Sequence, residues 1–394
     1  MNYKILTLNN ISVAGLDRLP RERYEAASEI AHPDAILVRS YKMHDMEIPE
    51  TVKAIGRAGA GVNNIPVERM TERGIPVFNA PGANANAVKE LVLAAMLMAA
   101  RNIAPAWAFA RGLEGDDAAI HKAVESGKKR FVGFELPGRT LGVIGLGAIG
   151  VRVANAAVGL GMRVLGYDPT ITVKRAWQLS SQVEQALSVD DLLARADFVS
   201  FHVPLTDKTR GMIDAERLRL MKSGAVLLNF ARDGIVDDEA ACAALDEGRL
   251  YAYVCDFPNN RIKDHPRVVA LPHLGASTRE AEDNCAVMVA DEVREYLENG
   301  NISNSVNFPE IHLPRETGYR IAVVNANVPN MVGQISTHLA EVDLNIQDLL
   351  NRSRGDIAMT LIDVDRPPPD AVLDHIRAID GVKSVRCLGC ARRD

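Results

Sequence analysis

The chain has 394 residues, 47% hydrophobic and 24% charged, which is the composition of a folded protein with room for about two or three domains rather than a disordered or fibrous chain. Its net charge of −6, with no basic run longer than Lys128–Arg130, excludes a chain-wide electrostatic footprint for nucleic acid or anionic membrane. The opening MNYKILTLNN lacks a signal-peptide pattern and the longest apolar run, residues 91–100, is too short to cross a bilayer, so a cytoplasmic protein with no nucleic-acid or membrane partner is expected.

Taken in chain order, KILTL (4–8), AILVR (35–39) and IPVFN (75–79) predict strands of a first lobe, followed by one long helix from about Ala87 to Arg111. From Thr140 the strands recur faster: TLGVIG, MRVLGY, DFVSFH, AVLLNF, YAYVCD and RVVALP, each apolar on both faces. That pattern predicts a parallel sheet covered by helices on both sides. Ser277-Thr278-Arg279-Glu280 predicts a capping box opening a helix that runs to about Asn299 and closes at Gly300. Residues 306–318, polar and broken by proline, read as a linker. Residues 319–394 then alternate as βαββαβ, a small α+β domain of the ferredoxin-like kind, expected to sit apart from the larger lobes. The expected fold class is α/β, two Rossmann-like doubly wound lobes plus this C-terminal domain. The boundaries are 1–95 for the first lobe, completed by about 283–305, and 96–282 for the second. Five cysteines at irregular spacing predict reduced thiols, and the Cys387/Cys390 pair, with no second pair or nearby histidine, does not read as a metal site.

The run TLGVIGLGAIG places Gly145, Gly147 and Gly150 between a predicted strand and a predicted helix. In that context the glycines form a phosphate-binding turn: Gly145 for the bend, Gly147 for close approach of a phosphate, Gly150 for packing of helix on strand. Asp168 ends the next strand, where a carboxylate accepts hydrogen bonds from ribose hydroxyls and repels a 2′-phosphate, so NAD is expected in preference to NADP. Hydride transfer from a secondary alcohol also needs a cation for the substrate's anionic end and a group to take the hydroxyl proton. Arg232 and His273 stand at the ends of predicted strands and offer those two chemistries. Taken singly, a surface arginine or a histidine satisfied in a turn is the commoner explanation of each.

Together these residues resemble the NAD-dependent D-2-hydroxyacid dehydrogenase family, through TLGVIGLGAIG, Asp168-Pro169, HVPLTDKTRGMI (202–213), LMKSGAVLLNFARDGIVDDEA (220–240) and LPHLGAST (271–278). Within the family, ILVRS (36–40), IGRAGAGVNNI (55–65) and the C-terminal segment are most similar to members that oxidise 3-phospho-D-glycerate to 3-phosphohydroxypyruvate at the head of serine biosynthesis. The resemblance implies a catalytic arginine at Arg232 and an acid/base histidine at His273. It implies cofactor contacts at Ala148, Ile149, Asp168, Phe230, Ala231, Asp256 and Gly275, and substrate-side positions at Arg39, Ser40, Arg57, Gly59, Ala60 and Gly61. Lys128–Arg130 is either a further phosphate contact from a neighbouring subunit or a solvated charge run. The C-terminal segment resembles an ACT regulatory domain, which implies an L-serine effector at Asn325, Asn327 and Asn345, and the family implies a homodimer or homotetramer. A glyoxylate or hydroxypyruvate reductase, and an NAD-sensing protein without activity, are the alternatives.

Two departures from the family pattern stand out. Asp233 follows Arg232 where glycine is usual, and no glutamate occurs between Asp256 and Glu280 to pair with His273. Asp264, or a carboxylate from another loop, is the expected substitute, unless His273 works alone.

Overall fold

The computed structural model describes residues 3–315 and 318–390, and the chain divides into two compact units, residues 85–281 and the flanking residues 1–84 with 282–394. In the flanking unit β1 (Tyr3–Leu8), β2 (Tyr24–Ala27), β3 (Ala35–Val38), β4 (Ala54–Arg57) and β5 (Val77–Asn79) form a parallel sheet in the order β2-β1-β3-β4-β5. The sequence pattern did not predict β2 and β4. The first is an edge strand with two exposed residues, and the second is broken in composition by Gly56, where a Cβ would lie 2.6 Å from Val289 and 2.9 Å from Leu37. Gly56 therefore lets the helix Arg279–Asn299 seat Val289 and Val293 directly on the sheet. That helix is capped one residue later than the capping box predicts, with Thr278 Oγ1 accepting from the Ala281 N–H at 3.1 Å, and Gly300 ends it at φ +75°.

The central unit holds β6 (Thr140–Ile144), β7 (Arg163–Tyr167), β8 (Val183–Gln185), β9 (Phe198–Phe201), β10 (Ala225–Asn229), β11 (Leu250–Cys255) and β12 (Val268–Ala270). All pair in parallel, in the order β12-β11-β10-β9-β6-β7-β8. Strand order reverses between β6 and β9, so the crevice at their carboxyl ends is the topological switch point where open α/β sheets bind ligands. The single helix expected over 87–111 is two, Ala85–Ala100 and Ile103–Arg111, bent by 68°. The break falls at Asn102, whose left-handed backbone (φ +51°) cannot continue a helix and whose amide donates to the Tyr251 hydroxyl at 2.6 Å. No single helix among the described residues is long and apolar enough to cross a membrane.

The C-terminal strands β13 (Tyr319–Ala326), β14 (Ile346–Arg354), β15 (Ile357–Val364) and β16 (Val382–Leu388) form an antiparallel sheet in the order β14-β15-β13-β16. The period of two explains why β15 is buried throughout and β13 everywhere but at its two ends. Ile321, Val323, Ile362 and Val364 face the helices Met331–Ala340 and Asp370–Arg377, whereas Ala322, Val324, Met359 and Leu361 face the core shared with Val289, Val293 and Tyr296. The expectation of a domain standing apart is thus corrected: its second apolar face is covered by the first lobe. The segment expected to be a linker is packed as well, with Phe308, Ile311 and Leu313 buried in that core and Ile302 bridging Ile311. The expectation of reduced thiols also needs correcting at one pair, because Cys387 and Cys390 form a disulfide across the turn at Gly389 (φ +89°), while Cys242, Cys255 and Cys285 are free.

Candidate active site

The glycine turn after β6 is built as its spacing predicts. Gly145 has φ +92°, and a Cβ there would meet the His202 carbonyl oxygen at 2.6 Å, so the bend requires glycine. At Gly150 a Cβ would lie 1.9 Å from the Gly145 carbonyl oxygen, which lets the helix Ala148–Gly159 start directly against the turn. Gly147, the N-cap of that helix, faces open space, with no heavy atom within 4 Å of a Cβ position. Ala148 and Ile149 supply the first turn, whose N–H groups have no partner within the helix. Asp168, just past β7, accepts from the Leu146 N–H at 2.9 Å and from the Thr170 N–H at 2.8 Å. Both bonds hold the carboxylate at the mouth of the turn. An open glycine, free helix N–H groups and a fixed carboxylate fit a pyrophosphate and its adjoining ribose.

Along the other strands of the sheet, each predicted residue follows a strand end. Phe230 and Ala231 are buried just past β10, and the Asn229 side chain ties the loop by accepting from the Ala231 N–H and donating to the Arg232 carbonyl. Arg232 is exposed, and its Nη1 donates to the Ala231 carbonyl at 2.6 Å. Asp256 follows β11 and is 1% exposed, yet neither carboxylate oxygen has a hydrogen-bond partner. Burial pushes its carboxyl above the usual range, while the neighbouring His273 and Arg232 charges pull the other way. Such a buried, unsatisfied acceptor fits an N–H donor of a bound molecule.

His273 donates its backbone N–H to the Asp256 carbonyl at 3.1 Å and adopts φ +48°, the left-handed region that a non-glycine residue occupies at a cost of about 1–2 kcal/mol. Its ring stands edge-on to Phe257, with centroids 5.0 Å apart. Asp264 does not approach it: that side chain is 82% exposed and pairs with Lys263 at 3.2 Å. The loop turns outward because Asn259 accepts from the N–H groups of Arg261 and Ile262 and donates to Asp238. The expectation for Asp264 is therefore corrected: Asp256, whose carbonyl accepts the His273 N–H, is the acidic residue beside His273. His202, to which the sequence assigned no role, follows β9 beside the turn. Its Nε2 lies 2.9 Å from the Ser200 hydroxyl, and burial lowers its pKa to about 3, which favours the neutral ring. Its place at a strand end was the signal that could have marked it.

The substrate-side positions form a separate cluster in the flanking unit. Arg39 pairs with Glu282 at 2.5 Å, and Arg57 Nε donates to the Arg39 carbonyl at 3.1 Å. A Cβ at Gly59 would sit 2.1 Å from Arg57 Nη1, so that glycine makes room for the guanidinium. Ser40 is held by Asn9, and the Asn79 side chain donates to the Ala60 carbonyl beside Gly61. Lys128 pairs with Glu125, and the Arg130 guanidinium lies 4.5 Å from the Phe109 ring centroid.

The three asparagines of the C-terminal domain are not gathered. Asn325 is buried with its Nδ2 donating to the Ala326 carbonyl and its Oδ1 unpartnered, and Asn327 donates to the Gly355 carbonyl. Asn345 lies beside Asp365, past the far end of β15. The strand between them spans roughly 24 Å at ~3.4 Å per residue.

Residues 93–275 match the family model described as the NAD-binding domain of D-isomer-specific 2-hydroxyacid dehydrogenases. A D-3-phosphoglycerate dehydrogenase of Methanocaldococcus jannaschii is 42% identical over 296 residues, covering 73% of this chain and 54% of its own length. The chain thus spans about half the length of that relative. A D-3-phosphoglycerate dehydrogenase of Haemophilus influenzae is 32% identical over 347 residues, covering 85% of this chain and 81% of its own. Among solved structures, the NAD+-bound 3-phosphoglycerate dehydrogenase of Entamoeba histolytica superposes with a TM-score of 0.61 at 27% identity, covering 77% of this chain and 99% of that one.

Proposed function

This chain belongs to the D-isomer-specific 2-hydroxyacid dehydrogenases, and from that membership we propose that it oxidises 3-phospho-D-glycerate with NAD to give 3-phosphohydroxypyruvate, the first step towards L-serine. The observation that carries the proposal is the run Arg232, Asp256 and His273 on consecutive strand ends of the sheet whose first turn is shaped for a dinucleotide. NAD, when bound, supplies the hydride acceptor. The Gly145–Gly150 turn and Asp168 hold its phosphates and ribose, and Asp256 offers its unsatisfied oxygens to a cofactor N–H.

Arg232 grips the substrate carboxylate and polarises the oxygen that becomes a carbonyl, and His273 takes the hydroxyl proton. Arg39 and Arg57, with the backbone of Gly59–Gly61, provide donors for the substrate's anionic groups. Asp256, beside His273, takes the place of the absent glutamate in this reading. An L-serine effector is the companion proposal. Because Asn345 stands at the opposite end of the sheet from Asn325 and Asn327, one serine touching all three needs two copies of the domain, which fits a homodimer or homotetramer in the cytoplasm.

The test is absorbance of NADH with 3-phosphoglycerate and NAD, run also in reverse with phosphohydroxypyruvate, beside D-lactate, D-glycerate and NADP. Turnover confined to the phosphorylated pair is the expected result. Turnover of hydroxypyruvate or glyoxylate alone would make the chain a general reductase, and NAD binding without turnover would make it a sensor. Asp256→Asn is expected to weaken NADH binding and lower turnover, whereas Asp264→Asn leaves both in place.

A further inference from the structure

A cavity of about 580 Å³ lies inside the flanking unit, between the edge strand β16 and the first lobe, within the range of about 300–1,000 Å³ typical of small-molecule sites. Its lining is strongly cationic in a chain of net charge −6: Lys4, Lys53, Arg73, Lys383 and Arg386 face it, against the two carboxylates of Asp34 and Glu50. Only Lys53 is matched, by its ion pair with Asp34. Lys4, Arg73, Lys383 and Arg386 make no ion pair with any described carboxylate.

Three of these cations are nonetheless held in place. Arg73 donates to the carbonyls of Ile48 (2.8 Å) and Pro49 (3.0 Å), and Lys383 donates to the carbonyl of Glu72 at 3.1 Å. The Arg386 guanidinium donates to the Tyr296 carbonyl at 3.0 Å and lies 4.1 Å from that ring's centroid. Neutral carbonyls and a ring position the charges without cancelling them. Clustering cations that way is unfavourable unless an anion joins them, and donors fixed in advance bind it at a lower entropic cost.

We propose that this cavity binds a small polyanion bearing a phosphate group, and that the ligand bridges the C-terminal domain to the first lobe. Lys383 and Arg386 come from β16, while Lys4 and Arg73 come from the first lobe, so a bound phosphate ties the two together through charge-assisted hydrogen bonds. The site is independent of the reaction proposed above, because none of its residues belongs to the glycine turn or to the Arg232–His273 run.

Calorimetric titration of the full chain with pyrophosphate at constant ionic strength, in saturating NADH so that the glycine turn is filled, tests the proposal. One pyrophosphate per chain is expected, with a raised Tm. In Lys4→Gln/Lys383→Gln, two exposed positions, affinity is expected to fall at least about tenfold, a loss of about 1.4 kcal/mol. Arg73→Gln checks the same cavity from an anchored position, with the same direction expected. Absence of binding at roughly millimolar pyrophosphate, or affinity unchanged in the double variant, would overturn the site. Displacement of pyrophosphate by NADH would likewise overturn it, by moving the binding to the glycine turn.

Discussion

At position 150 a Cβ would sit 1.9 Å from the Gly145 carbonyl oxygen, and neither backbone can yield without opening the turn. Gly150→Ala is expected to cost roughly 1–3 kcal/mol of stability and to weaken NADH binding, read by Tm and by fluorescence titration. Gly147→Ala meets no neighbour in the fold, so it is expected to spare stability while weakening NADH binding alone. The two variants separate the packing glycine from the phosphate-facing one. Glu292 shows a different residue-scale effect. Its Oε1 accepts from Asn304 at 2.6 Å, its Oε2 is buried without a partner, and burial raises its pKa from 4.5 to about 8. The folded state therefore binds more protons than the unfolded state between those two values, so this group's stabilisation is complete below the lower one and is lost as pH rises to the upper one. Glu292→Gln keeps the shape without the charge. Denaturant unfolding across that range is expected to show a decline in the wild type that the variant lacks.

The strand β13 carries Arg320, the largest fully buried side chain among the described residues, on the face turned to the first lobe. Its Nε and Nη2 grip Asp363 of β15 at 2.5 and 2.7 Å, and its remaining donors reach the carbonyls of Asn299, Leu313 and Pro314. One side chain thus joins two strands of the C-terminal sheet to the end of the helix Arg279–Asn299 and to the segment that follows it. Arg320→Met leaves Asp363 buried and unpaired, for which about 3–5 kcal/mol of destabilisation is expected in urea unfolding. Asp363→Asn, which keeps an acceptor and removes the charge, should cost less. These elements also show where pattern reading works. The apolar runs of β6, β9, β10 and β11 were legible because central parallel strands are buried on both faces. The edge strands β2 and β8 were not, since half-exposed short strands lack that signature. The kink at Asn102 escaped because its apolar period continues across the break.

In the molecule as a whole, Asn345 stands at the opposite end of the sheet from Asn325 and Asn327, so a serine site that used all three would need assembled copies. Inhibition by L-serine is expected at protein concentrations where sedimentation shows an oligomer, and is expected to vanish on dilution to the monomer. Retention of inhibition in the monomer would remove the three-asparagine site. By itself the sequence determined the glycine turn, the acidic residue just past β7, and the places of Arg232 and His273 after strand ends. Local spacing suffices there, because a strand, a tight turn and a helix N-terminus are set by neighbours in the chain. Only the tertiary structure decided which acidic residue lies beside His273, since Asp264 and Asp256 are alike in sequence and differ in which way their loops turn. It alone also decided that the C-terminal sheet is covered by the first lobe and that unpaired cations from both surround one cavity. Those facts depend on side chains some 300 positions apart, such as Lys383 donating to the Glu72 carbonyl, and no local pattern encodes which distant surfaces meet.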